Sequence, residues 1–168
     1  MSTDEKPEIT LKNVDIHVRN SQETPCYSAT LYVDGERFAH VRNDGHGGCD
    51  FIDMIGPFTR DDMADLDERV QATYPTTRIH GHDLKETVEG LCHGAAWDHL
   101  EKKRLRSLLK RSIVFRAGDG RILQTKHQGH PRDVAYEHIR EDFPGAVFLN
   151  EMDLDDAVAA LRGAEQGV

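Results

Sequence analysis

The segment best equipped for chemistry is Asn43-Asp44-Gly45-His46-Gly47-Gly48. Its three glycines permit positive φ and can turn successive backbone N–H groups toward an anion, while Asp44 and His46 bring a carboxylate and an imidazole for general acid/base work. The plainer reading carries more weight: a tight inter-strand turn needs these residue types whatever the function, with His46 pointing into water. His80, His82 and Asp83 form a second group, two imidazoles and a carboxylate of the kind that bind zinc or iron, with His46 or His93 as a further donor brought in by the fold. Neither HExxH nor a CxxC pair accompanies them, so no metal or other cofactor is expected. Cys92 and His93 fall on a predicted helix, where adjacent side chains diverge by about 100° and form no direct nucleophile–base dyad.

A third group is Lys102, Lys103, Arg106 and Lys110, which gather on one helical face opposite Leu105, Leu108 and Leu109. That face could contact phosphates or an acidic protein surface, although cations near a helix carboxy terminus also complement its dipole. No aromatic residue interleaves with them, so a stacking platform for single strands is not suggested.

These residues need a frame. A chain of 168 residues with 38% hydrophobic and 30% charged content has the size of one domain with a buried core. The expected organisation is a loose tail over 1–8 and one domain over 9–168, with possible lobes at 9–57 and 58–168. Three cysteines, Cys26, Cys49 and Cys92, make no CxxC pair and are expected as free thiols. MSTDEKPEIT has neither a basic nor an apolar leader segment, and no apolar run is long enough to span a bilayer; the expectation is a cytosolic protein without a membrane. The net charge of −9 disfavours nucleic acid on average. Charge is uneven, however: Asp61 to Glu68 and Glu151 to Asp156 are acidic and Lys102 to Arg111 is basic, a polarisation that suits a protein partner.

Alternation over Ile9 to Val18 slips in phase near Lys12 and Asn13, which reads as a strand with a bulge. Asp34-Gly35 between Cys26–Val33 and Glu36–Asn43 predicts a type I′ hairpin. Its simplest register sets Leu31 opposite Phe38 and Ala29 opposite His40, placing Tyr27, Ala29, Leu31, Val33, Phe38 and His40 on the core face. Cys49 to Ile55 extends the meander. Thr59 caps a helix over 60–73, and Asp83 with Glu86 resembles a capping box opening a helix to about Lys110. Along that helix Val88, Leu91, Cys92, Ala95 and Ala96 form a stripe rotated from Leu105, Leu108 and Leu109, so it either breaks near Gly90 or Gly94 or meets different neighbours at its two ends. A strand over 112–117, a Gly118-Asp119-Gly120 turn, a strand over 121–126, a helix over 131–142, a strand over 146–150 and a helix over 154–162 complete the chain. The fold class is α+β: an amino-terminal antiparallel meander, central helices and a carboxy-terminal hairpin with β/α elements.

Cys26 to Gly35, Val41 to Cys49 with its NDGHGG core, Lys102 to Phe115 and Val147 to Asn150 together resemble a family of small proteins encoded by bacterial viruses and other mobile elements. The resemblance carries no catalytic residue; it implies a setting, the host bacterial cytosol, in which small acidic proteins modulate host machinery and defence systems. The function expected first is a non-enzymatic interaction protein that binds a host or element-encoded protein, as an inhibitor of a defence or nucleic-acid-processing complex. Two alternatives stand beside it: a small hydrolytic or nucleotide-directed enzyme using Asp44 and His46, and a nucleic-acid-binding accessory factor using the basic helix 102–111.

Overall fold

Asp34 (φ 51°) and Gly35 (φ 81°) both sit at positive φ, as a type I′ turn demands, and they join β2 (Cys26–Val33) to β3 (Glu36–Asp44). The computed structural model describes residues 5–79, 81–126, 129 and 131–165. β1 (Ile9–Ile16) pairs with β2, and β4 (Phe51–Met54) with β3, giving an antiparallel sheet in chain order. The phase slip in β1 is a bulge between Lys12 and Asp15, with Asn13 at φ 53°.

The hairpin register differs from the simple one. Val33 opposes Glu36 and Tyr32 opposes Arg37, but Leu31 then opposes Ala39, leaving Phe38 as an extra residue in β3. A one-residue bulge exchanges the faces of everything beyond it. Phe38, Ala39, Val41 and Asn43 are therefore buried, and His40 is exposed beside Thr30 and Asp53, a correction to its expected place in the core.

α1 (Arg60–Thr73) starts at a full capping box: Thr59 Oγ1 accepts from Asp62 N at 3.3 Å, and Asp62 Oδ2 accepts from Thr59 N at 2.7 Å. Its Leu66 and Val70 enter the same core as Leu31 and Val41. A short hairpin follows, β5 (Thr77–Ile79) and β6 (His82–Leu84), which takes up Asp83 in an ion pair with Arg78. The next helix, α2 (Val88–Arg111), consequently begins later than the Asp83–Glu86 pattern suggests, with Thr87 Oγ1 accepting from Gly90 N at 2.9 Å. It runs unbroken and meets two sets of neighbours. Val88, Cys92, Ala96 and Leu100 belong to the meander's core, while Leu105, Leu108 and Leu109 pack against the carboxy-terminal elements.

That change of neighbours marks the division of the chain into two compact units, Met1–Leu100 and Glu101–Val168. The boundary is not at 57/58, because α1 shares the sheet's core. Nor are residues 5–8 loose: Pro7 is fully buried, its carbonyl accepts from Tyr74 Oη at 2.9 Å, and Glu8 N donates to Asp34 Oδ1 at 2.8 Å.

In the second unit β7 (Ile113–Arg116) lies between β8 (Ile122–Thr125) and β9 (Val147–Phe148), all antiparallel, with α3 (Arg132–Asp142) and α4 (Leu154–Glu165) completing it. β9 is shorter than its apolar run because the chain turns into a 3-10 segment at Leu149–Glu151. Asn150 explains the turn. Its Oδ1 accepts from Val114 N at 2.8 Å, and its Nδ2 donates to Leu109 O and Ser112 O at 2.9 Å each, so one amide closes both a sheet gap and the end of α2. Among the described residues no helix is long and apolar enough to cross a membrane.

Asn150→Ala leaves Val114 N and Ser112 O without their partner, while Leu109 O keeps its bond from Arg132 Nη2, and a part-buried unsatisfied group costs about 1–3 kcal/mol. Denaturant unfolding followed by far-UV circular dichroism should show a loss of that order; a change within experimental error would contradict the role given to Asn150.

Candidate functional site

The NDGHGG segment is a structural knot. Asn43 is buried at 3% exposure; its Oδ1 accepts from Thr24 Oγ1 at 2.7 Å and Gly45 N at 2.8 Å, and its Nδ2 donates to Asp50 Oδ1 at 2.9 Å. Gly47 N donates to Thr24 Oγ1 at 3.3 Å, so two of the amides an anion would need are already engaged. A Cβ on Gly45 would come within 2.3 Å of Asn20 O and 2.7 Å of Cys26 Cβ, so packing as well as its φ of 86° demands glycine. Asp44 and His46 are both exposed; Asp44 lies 3.8 Å from Arg42, and His46 has no polar partner among the described residues. The loop does not assemble these two into an acid/base pair.

A polar network lies beside it that no spacing in the sequence announces. Tyr27 and Asn43 oppose each other across β2 and β3, and both reach Asp50, whose side chain is fully buried; Tyr27 Oη donates to Oδ2 at 2.5 Å. Asp50 N donates to Glu89 Oε1 at 2.8 Å, and His93 Nδ1 stands 3.8 Å from Asp50 Oδ1. Trp97 Nε1 donates to His93 Nε2 at 2.9 Å, which makes that nitrogen an acceptor and leaves the neutral ring's proton on Nδ1, toward Asp50. Burial first, and the Asp50 carboxylate second, push the Tyr27 phenol well above its ordinary range. These groups are consumed in pinning the sheet to α2: the carboxylate is sealed from any substrate and the phenol stays protonated.

The thiols are similarly quiet. Burial pushes Cys92 up to about 12, and the exposed Cys49 is also raised, chiefly by its hydrogen bond with Glu89. Of the candidate metal group, the described residues include only His82 and Asp83. His82 and Asp83 are exposed on β6, Asp83 faces Arg78, and His80 lies outside the described residues. Among the described residues no set of three or more His, Cys, Asp or Glu side chains could hold an ion.

On the basic helix, Lys103, Arg106 and Lys110 are exposed, but Lys102 pairs with Asp155 at 2.5 Å and the neighbouring Glu101 with Arg162. Acidic α4 thus interrupts the stripe. A phosphate backbone would meet carboxylates as well as cations there.

A concavity lies elsewhere, between the β2–β3 hairpin and α1. It is a cavity of about 580 Å³. Its floor is apolar: Val33, Leu66 and the rings of Phe38 and Phe58, tilted 43° with centroids 4.7 Å apart. The Phe38 bulge turns one ring inward, and the Gly56-Pro57 approach to the Thr59 cap delivers the other. Five carboxylates line the walls, Asp34 and Glu36 from the hairpin and Asp62, Asp65 and Glu68 from α1, against the single guanidinium of Arg69. Two are committed within the fold. Asp34 Oδ2 meets Arg69 Nη2 at 3.2 Å, and Asp62 is held in the cap, where its bond with the Thr59 side chain lowers its pKa. Glu36, Asp65 and Glu68 have no hydrogen bond or ion pair among the described residues. Arg69 Nε is buried and without an acceptor there, so this wall is incompletely satisfied in the free protein.

The acidic run 61–68 was legible as charge, but its facing of an aromatic floor required the bulge. Comparison with protein-family models, curated proteins and solved structures returns no match, and the likeness to mobile-element proteins rests on the sequence motifs alone.

Glu89→Gln keeps an acceptor for Asp50 N but removes the charge that disfavours the Cys49 thiolate. Iodoacetamide labelling of the native protein at mildly alkaline pH should become faster at Cys49, with Cys92 unlabelled in both proteins; an unchanged or slower Cys49 rate would contradict the Glu89 contact.

Proposed function

We propose that this chain is a non-enzymatic interaction protein that binds a protein partner through the cavity between its first hairpin and α1. The observation that carries the proposal is the lining: an aromatic floor beside five carboxylates, three of which the fold leaves unpaired, in a space of about 580 Å³. Concave apolar sites with a few placed polar groups are where proteins bind their ligands, within roughly 300–1,000 Å³. The cavity lining holds carboxylates but no His, Cys or Ser, and Asp44 and His46 stand apart on the surface of the glycine loop, which favours binding over turnover. The partner sought first is a host protein or defence complex, in the setting the sequence resembles.

Ala72 lies at the cavity and is exposed, so Ala72→Trp fills the space with little cost to the core. Affinity capture from the native cells, read by quantitative mass spectrometry, should recover a partner with the unaltered chain and lose it by about tenfold with Ala72→Trp. Lys103→Glu with Arg106→Glu should retain it. Loss through the helix pair with retention in Ala72→Trp would move the function to the basic face, and undiminished capture by both variants would overturn the cavity reading.

A further inference from the structure

We propose that the cavity is a socket for an arginine side chain within a short apolar segment of the partner, an inference that rests on the interaction reading above and names what it recognises. Three features select a cation. The carboxylates outnumber the single guanidinium, and the three unpaired ones approach from two directions, Glu36 from the hairpin and Asp65 and Glu68 from α1. Phe38 and Phe58 line the same cavity with ring centroids 4.7 Å apart, and an aromatic lining attracts a cation.

Among the described residues the helix gives Glu68 no partner, and Asp65, although four residues before Arg69, forms no ion pair with it, Arg69 being held by Asp34. Asp65 and Glu68 lie beyond the first turn, where the dipole ceases to favour negative charge, and like charges spaced i, i+3 destabilise a helix. Asp67, between them in sequence, has a structural task, accepting from Val88 N at 2.8 Å. Asp65 and Glu68 have none among the described residues. Charge kept at a cost to the helix is accounted for if it is neutralised by a ligand.

Arginine fits better than lysine for a stated reason. Its planar guanidinium is more weakly hydrated, stacks on aromatic rings and presents donors in a fork that carboxylates on two walls can share, whereas an ammonium is a compact and strongly hydrated point charge. The molecule contains a small example of the same recognition, since Arg69 is held by Asp34 at the end of this cavity. The volume exceeds one side chain, and Val33 and Leu66 offer apolar wall to a neighbouring residue, which is why the segment is apolar on either side of the arginine.

The test uses the full chain, labelled with ¹⁵N, and three capped peptides: acetyl-Leu-Arg-Leu-amide and its lysine and citrulline counterparts. Citrulline keeps the shape and removes the charge. The arginine peptide should shift amide resonances of Phe38, Phe58 and Asp65 to Ala72, bind more tightly than the lysine peptide and exceed the citrulline peptide by about tenfold. Asp65→Asn with Glu68→Gln should weaken it by about tenfold while leaving the melting temperature unchanged or raised. Equal binding of the citrulline peptide, tighter binding of the lysine peptide, shifts confined to other surfaces, or no shift at millimolar peptide would each overturn the arginine assignment. If the peptides fail while Ala72→Trp still loses the captured partner, the interaction reading stands and the socket falls. If the arginine peptide binds and Ala72→Trp loses no partner, the socket stands and the interaction reading falls.

Discussion

The architecture of the first unit turns on one extra residue in β3. With Phe38 inserted between the pairs Tyr32–Arg37 and Leu31–Ala39, the strand's inward set becomes Ala39, Val41 and Asn43, and Phe38 itself is buried as well. Without the bulge, alternation would bring Arg42 and His40 to the core and turn Val41 and Asn43 out, stranding charge in an apolar interior. Two consequences follow at opposite ends of the strand. Asn43 is aimed into the glycine loop and at Asp50, and the Phe38 ring is aimed at Phe58 to make the cavity floor.

Features that depend on neighbours in sequence were legible in it. Asp34-Gly35 specifies its turn by conformational preference alone, Thr59 caps α1, and the slip near Asn13 betrays the β1 bulge, because each is decided within a few residues. The Phe38 bulge was not legible, since Phe38 and His40 share a parity that an unbroken strand satisfies equally well. The Asp83–Glu86 pattern imitated a capping box, but pairing of 77–79 with 82–84 drew Asp83 into a strand and moved the helix start to Thr87. The cavity and the Tyr27–Asp50–His93–Trp97 network join helical residues at local spacing, such as His93 and Trp97, to strand and loop residues far from them in the chain, and no local spacing encodes that joining.

The polar residues divide by task. Around Asp50, whose side chain is fully buried, side chains that resemble catalytic equipment satisfy one another in a partly buried network, and such a network helps fix one arrangement of sheet and helix. Asn150 does the corresponding work in the second unit. At the cavity the logic is reversed: carboxylates remain unpaired above an apolar floor, and a buried guanidinium nitrogen lacks an acceptor. On the proposed reading, the contrast between saturated and unsaturated polar groups distinguishes structural residues from binding residues more cleanly than residue type does.

Hydrogen exchange read by mass spectrometry, on the chain alone and saturated with its captured partner, tests the central claim most directly. Protection should increase in the segments 33–38 and 58–72 that form the cavity. Protection that appears instead over 102–111, or over the glycine loop 43–48, with 58–72 unchanged, would contradict the account.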